Sequence, residues 1–303
     1  MRAAAADLPH LTTHAKKIAL LPDSERIQHI RSDRWIGYTK ALHILERLDD
    51  LLAWPPKQRM PNMLLIGPTN NGKSMIIERF RRKNHVVHKR YSAIEKLPVV
   101  ALQMPSDPTI SRFYSMLLFE LGAPPAYPRA RIAELELSAI KLLEAVGAKM
   151  LIIDEIHNIL AGQRNHRLEF LNLLRYLGNS LRIPIVGVGI QEAHLAIRSD
   201  PQLENRFEPI PLPRWVQGEE LQSLLASFAA SLPLKQPSNL QQVDMAQYLL
   251  ERSEGTIGEI ARLLSAAAET AISTGEESIN RKTLLQTPYE SPSDRRRAFE
   301  RVL

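Results

Sequence analysis

Eight consecutive residues, Gly67-Pro68-Thr69-Asn70-Asn71-Gly72-Lys73-Ser74, follow the pattern G-x-x-x-x-G-K-[ST] without a gap. Each fixed position answers a demand of phosphate binding. Gly67 and Gly72 let the backbone curl so that its N–H groups converge on phosphate oxygens. A helix starting at Gly72 adds a dipole that favours anions. Lys73 reaches the β- and γ-phosphates as a point charge, and Ser74 offers a hydroxyl to Mg²⁺. With Met75, the stretch 67–75 is the candidate nucleotide-binding loop. Farther on, Asp154-Glu155 closes the apolar run Met150-Leu151-Ile152-Ile153. Asp154 is suited to hold Mg²⁺ through water, and Glu155 to orient and activate an attacking water as general base. The pair implies ATP as substrate and Mg²⁺ as its cation. It favours hydrolysis with a catalytic glutamate over kinase or GTPase chemistry.

Such groups need strands to hold them. Met63-Leu64-Leu65-Ile66 reads as a buried strand feeding the loop, with a helix after it to about Lys83. Further strands are expected at 97–102, 149–154, 183–188 and 209–212, with helices near 109–121, 129–146, 168–177 and 191–198. Strands alternating with helices argue for a parallel sheet covered on both faces, an α/β fold. After Pro213 only helical periodicity remains: Leu221, Leu224, Leu225 and Phe228 form one face, 239–252 a second helix, and Ile257, Ile260, Leu264 and Ala268 line a third. The expected division is a helical N-terminal appendage (1–60), an α/β nucleotide-binding domain (61–213), a helical domain (214–286) and a mobile basic tail (287–303) carrying Arg295-Arg296-Arg297.

Composition limits the alternatives. The chain has no cysteine, which excludes disulfides, thiolate metal sites and cysteine nucleophiles. No run approaches the roughly 18 apolar residues of a membrane helix, and the first residues are too short an apolar stretch for a signal peptide. A soluble, cytoplasmic protein is expected, with no membrane partner. Lys plus Arg exceed Asp plus Glu by 39 to 33, a balance compatible with nucleic acid. Arg79, Arg81, Arg82, Lys83, Lys89 and Arg90 crowd the end of the loop helix and the segment beyond it. Gln163-Arg164-Asn165-His166-Arg167 is a second basic candidate, so Arg164 and Arg167 join the possible DNA contacts. Contacts of this kind go to phosphates and carry little sequence preference. Asp154-Glu155-Ile156-His157 superficially matches a helicase box, but 303 residues are too few for two helicase core domains. His85 and His88 read as exposed residues on a basic stretch rather than a metal pair.

Several segments together resemble the TniB family of transposition ATPases, relatives of TnsC and MuB. They are Trp35-Ile36-Gly37-Tyr38 before a long helix, Arg59-Met60-Pro61-Asn62, the phosphate loop with its Asn70-Asn71, Ile152-Ile153-Asp154-Glu155-Ile156-His157-Asn158, Ile183-Pro184-Ile185-Val186-Gly187-Val188-Gly189 and Asn205-Arg206-Phe207. The resemblance covers roughly residues 10–275. It implies a P-loop AAA+ module with strand order 5-1-4-3-2 and a small helical lid. It further implies an ATP-dependent regulator that assembles as a homo-oligomeric ring or helical filament on double-stranded DNA and recruits or activates a DDE-type transposase. Arg206 falls where such proteins place an arginine finger acting on a neighbouring subunit, with Arg198 as competitor. Two departures stand out. Gly189-Ile190-Gln191 puts Ile where a polar side chain is expected, leaving Gln191 as substitute, and Gly255-Thr256-Ile257-Gly258-Glu259 lacks the lid arginine. Slow, DNA-stimulated hydrolysis would follow. Gln103, at the end of the second strand, could couple DNA contact to Glu155. The rival readings are a AAA+ motor or remodeller of protein complexes, and a nucleotide-gated scaffold with negligible hydrolysis.

Overall fold

The computed structural model describes residues 8–85, 96–124, 131–161 and 164–301. His88, Lys89, Arg90 and Gln163 lie outside the described residues, and the side chains of Arg164 and Asn165 are likewise not described. The chain forms two compact units: Met1–Leu42 with Arg214–Leu303, and His43–Pro213.

The first residues of the helical unit make α1 (Thr13–Ala19) and α2 (Asp23–Arg31). The Thr12 hydroxyl accepts from the N–H of Ala15 and caps α1. Leu8, Leu11, Ala15 and Ala19 form a small apolar cluster. Arg26 of α2 is fully buried and donates to the Pro233 carbonyl, to Asp23 and, through both terminal nitrogens, to Glu277. This fork ties the N-terminal helices to the C-terminal ones, a partnership across more than two hundred residues that no local pattern signals. α3 (Thr39–Ala53) then carries the chain onward, and Pro55-Pro56 stop it.

The second unit follows in alternation: β1 (Asn62–Ile66), α4 (Lys73–Lys83), β2 (Val99–Gln103), α5 (Ile110–Glu120), α6 (Ile132–Val146), β3 (Met150–Asp154), a 3-10 turn (Ile156–Ala161), α7 (Arg164–Leu181), β4 (Ile185–Gly189), α8 (Gln191–Arg198), the short α9 (Pro201–Glu204) and β5 (Phe207–Pro211). The sheet is parallel throughout with order β2-β3-β4-β1-β5. Read from its other edge, this is the order that the family resemblance implied. Met150–Ile153 and all of β4 are buried, so continuous apolar runs rather than alternating ones marked them. β2 and β4 begin two residues later than expected, each just after a proline (Pro98, Pro184) that lacks a ladder N–H. Helices α5, α6 and α7 pack with the sheet around a core that includes Phe113, Tyr114, Leu143, Leu151, Phe170 and Leu177. Because all strands run in parallel, the phosphate loop after β1 and Asp154 at the end of β3 emerge at one sheet edge.

The rest of the helical unit comprises α10 (Glu219–Ser231), α11 (Val243–Ser253), α12 (Ile257–Ser273), α13 (Arg281–Gln286) and α14 (Pro292–Glu300). The last of these corrects the expectation of a mobile tail. The Ser291 hydroxyl accepts from the Asp294 N–H at the start of α14. Glu259, buried in α12, then accepts from Arg295 Nη2 at 2.8 Å and from the Tyr289 hydroxyl at 2.8 Å. A buried carboxylate needs such partners, and its demand orders the segment. No helix among the described residues is long and apolar enough to cross a membrane.

Candidate functional site

The phosphate loop is held from several sides. Gly67 leaves β1 beneath the Leu212 carbonyl; a Cβ there would lie 2.5 Å from that oxygen. Only glycine tolerates this approach, so here the residue serves the β1–β5 contact as well as the curl of the loop. Gly72 enters α4 at φ 88° and Asn70 adopts φ 59°, left-handed conformations that glycine and asparagine bear most easily. Asn71 is 1% exposed, and its Nδ2 donates to the Leu212 carbonyl at 2.9 Å and the Pro213 carbonyl at 2.8 Å. Its amide thus locks the loop to the chain leaving β5.

Lys73 is buried, and its Nζ donates to the carbonyls of Gly67 and Pro68, both at 2.8 Å. Burial holds the ammonium below its ordinary 10.5, while Glu155 and Asp154 pull it back up. The Ser74 hydroxyl donates to Asp154 Oδ2 at 2.8 Å, and the Glu155 N–H donates to Asp154 Oδ1 at 2.8 Å. Lys73, Ser74, Asp154 and Glu155, predicted from two distant motifs, therefore share one locality. Glu155 sits at φ 54°, a strained conformation for a side-chain-bearing residue of the kind that gathers at functional sites. No group of three or more His, Cys, Asp or Glu among the described residues could hold a metal alone. Ser74 with Asp154 supplies two hard oxygens and leaves the remaining ligands to phosphates and water, which fits Mg²⁺. Thr69 is exposed at the loop's tip and Pro68 half-buried, and Met75 is 37% exposed on the first turn of α4.

Of the other predicted residues, Gln103 neighbours Asp154 and the rest are placed elsewhere. Gln103 is exposed and in register with Asp154 across β2 and β3. Gln191 is exposed at the first turn of α8. Arg206 immediately precedes β5, whose Phe207 pairs with Asn62, whereas the phosphate loop follows Ile66. The two stand at opposite sheet edges, roughly 16 Å apart along the strands, beyond the reach of one arginine side chain. Arg206 Nη1 donates to Asn179 Oδ1 at 2.9 Å. Burial lowers its pKa, Arg59 and Arg175 push the same way, and Asp200 opposes them. A cavity of about 620 Å³ opens there, lined by Gln58, Arg59, Asn179, Arg182, Gln202 and Arg206, without a carboxylate. Arg59 and Arg182 escaped prediction as cavity-lining residues because positions 59, 182 and 206 share no spacing. The competitor Arg198 is paired with Glu204 at 3.0 Å.

Among the proposed DNA contacts, Arg81 and Arg82 both pair with Glu78, and Lys83 pairs with Asp49 at 2.6 Å. Arg79 is exposed and Arg167 half-buried. The end of α4 thus carries less free positive charge than its composition suggests, and it lies about 15 Å along the helix from Lys73.

The family described as Bacterial TniB protein matches residues 26–217. No curated protein sequence matches the chain. Among solved structures it is similar to Cdc6p from Pyrobaculum aerophilum, with TM-score 0.58 and 17% identity over 88% of this chain and 71% of that one. It is similar to Aeropyrum pernix ORC2 in its ADPNP-ADP complexes (TM-score 0.57, 16% identity, 86% and 70% covered). A. pernix ORC1 in complex with DNA is comparable (TM-score 0.57, 15% identity, 86% and 68% covered). At these identities the likeness is one of fold, the AAA+ fold.

Proposed function

The chain belongs to the TniB family, and on that premise we propose that it is an ATP-hydrolysing regulator of transposition that assembles on double-stranded DNA and there engages a DDE-type transposase. One observation carries the nucleotide part of this reading: Lys73, Ser74, Asp154 and Glu155 converge at the C-terminal edge of a parallel sheet, beside a loop shaped for phosphates. Loop N–H groups and Lys73 bind the β- and γ-phosphates of ATP. Ser74 and Asp154 hold Mg²⁺, which when bound neutralises charge developing on the phosphates. Glu155 orients the attacking water and accepts its proton. Arg206 cannot serve its own phosphate site. It acts on that of a neighbouring copy, where a guanidinium stabilises charge on the transferring phosphoryl group, and this requires the homo-oligomer.

The DNA part draws on the family and on the fold shared with ORC1, whose structure contains DNA. Binding through phosphates, with little sequence preference and a strong salt dependence, follows from the basic excess. The aliphatic Ile190 and the lid stretch 255–259 favour slow turnover, as suits a switch. The deciding measurement is fluorescence anisotropy of a labelled random-sequence duplex, titrated with and without a slowly hydrolysed ATP analogue. Tight binding with the analogue alone is expected. Absence of binding in both states at low salt would remove DNA as the direct ligand and leave a remodeller of protein complexes. Lys73→Ala abolishes ATP binding, and Glu155→Gln traps the ATP-bound assembly.

A further inference from the structure

The end of β4 offers the phosphate site no polar side chain: Gly189 is followed by the aliphatic Ile190. The imidazole of His157, from the 3-10 turn after β3, packs there instead. A Cβ on Gly189 would stand 3.2 Å from His157 Nδ1 and 3.0 Å from the Ala193 Cβ, so the bare glycine makes the room. The turn itself is fixed. Ile156 is buried against Gly187 and Gly189, the Asn158 N–H donates to the Glu155 carbonyl, and Asn158 Nδ2 donates to the Met104 carbonyl at 3.1 Å.

The ring's two nitrogens face different surroundings. Nε2 lies 3.2 Å from Glu155 Oε2. Nδ1 is buried and has no hydrogen-bond partner among the described residues. A neutral imidazole has one N–H to place. Placed on Nδ1, it would be stranded in a buried position and would set the Nε2 lone pair against a carboxylate oxygen. Placed on Nε2, it donates to Glu155 and leaves only a bare acceptor buried, the smaller cost.

We propose that His157 is the positioning residue for Glu155, donating Nε2–H to Oε2 and leaving Oε1 to face the attacking water. The inference rests on the reading of Glu155 as general base. A glutamate side chain that is 36% exposed would otherwise spread over many rotamers, and a general base works only within hydrogen-bond reach of its proton. His157 thus supplies, from the end of β3, the polar contact that β4 lacks.

The test compares His157→Ala and His157→Gln, each alone and combined with Glu155→Gln, in the full chain. His157→Ala is expected to lower kcat about tenfold or more, with KM and the Kd of a slowly hydrolysed ATP analogue within about twofold of wild type. His157→Gln, able to donate through its amide, recovers part of the loss and keeps the proposal testable should the alanine variant melt early. In the Glu155→Gln background neither substitution has a further effect. Long-range ¹H–¹⁵N spectra of the nucleotide-free protein, labelled at histidine, should show His157 as the Nε2–H tautomer. An unchanged kcat in His157→Ala, an equal loss in both backgrounds, or the Nδ1–H tautomer would each overturn the proposal. Wild-type hydrolysis by Glu155→Gln would instead sink the base assignment beneath it, a result readily told apart from the others.

Discussion

Replacing Asn71 separates two roles that a residue of the phosphate loop can play. If its amide contacts nucleotide, Asn71→Ala weakens ATP binding and leaves the empty protein's stability intact. The geometry says otherwise. Nδ2 donates to two carbonyls from a position that is 1% exposed. Truncation leaves the carbonyl of the buried Leu212 without this donor, a loss of about 1–3 kcal/mol. The carbonyl of the exposed Pro213 can turn to water, so its bond contributes only about 0.5–1 kcal/mol. The sum, about 1.5–4 kcal/mol, should lower the melting temperature of the nucleotide-free protein by roughly 3–16 °C. Equilibrium urea unfolding without nucleotide measures it directly. Asn71→Asp should cost at least as much, since a carboxylate would face two carbonyl oxygens. A nucleotide-free protein that melts like wild type while its ATP affinity falls would refute the structural role.

The Arg26–Glu277 fork makes the helical unit sensitive to acid. Burial raises the Glu277 pKa, but hydrogen bonds from Arg26 and the Lys235 N–H outweigh it and hold the carboxylate below its ordinary 4.5. A depressed carboxylate contributes stability that is present above the unfolded value and lost as pH falls through the folded one. The melting-temperature gap between wild type and Glu277→Gln should be full at neutral pH and shrink as pH falls below the ordinary 4.5 and through the lower folded value; a gap independent of pH would contradict it. Glu259→Ala, which removes the acceptor shared by Tyr289 and Arg295, should cost about 2–4 kcal/mol and render the segment after Gln286 sensitive to limited proteolysis. Arg206→Ala should lower hydrolysis by the assembled protein about 10³-fold without changing nucleotide affinity; rescue by subunits carrying an intact Arg206 but Lys73→Ala would establish that it acts between copies.

The sheet was legible because strands buried on both faces leave uninterrupted apolar runs, and because the phosphate loop and Asp154-Glu155 mark where two of them end. β5 was placed two residues late: its pattern is mostly exposed after Phe207, so periodicity had little to hold. What escaped were partnerships that exist only in three dimensions. Arg26 is a buried hub whose partners Pro233 and Glu277 lie more than two hundred residues away. Arg295 looked like part of a basic tail, yet Glu259 holds it. His157 registered only as the last letter of a helicase-like box, since nothing in local sequence reveals that Gly189 makes a place for its ring. Cations at the end of α4 looked free because their carboxylate partners Glu78 and Asp49 were not weighed with them.

The helical unit is discontinuous: residues up to Leu42 belong with those from Arg214 onward, and the α/β unit is inserted between them. Synthesis proceeds from the N-terminus, so α1 and α2 leave the ribosome long before their partners exist. The Ala230 carbonyl that accepts from Thr12, and the Pro233 carbonyl and Glu277 that receive Arg26, arrive some two hundred residues later. At about 5–20 residues per second that is a wait of roughly 10–50 s. Through it the α/β unit can finish folding alone, while Leu8, Leu11 and the unpaired Arg26 stay open to chaperones or to the wrong chain. The newborn protein should therefore acquire its nucleotide-binding fold first and its closing helices last.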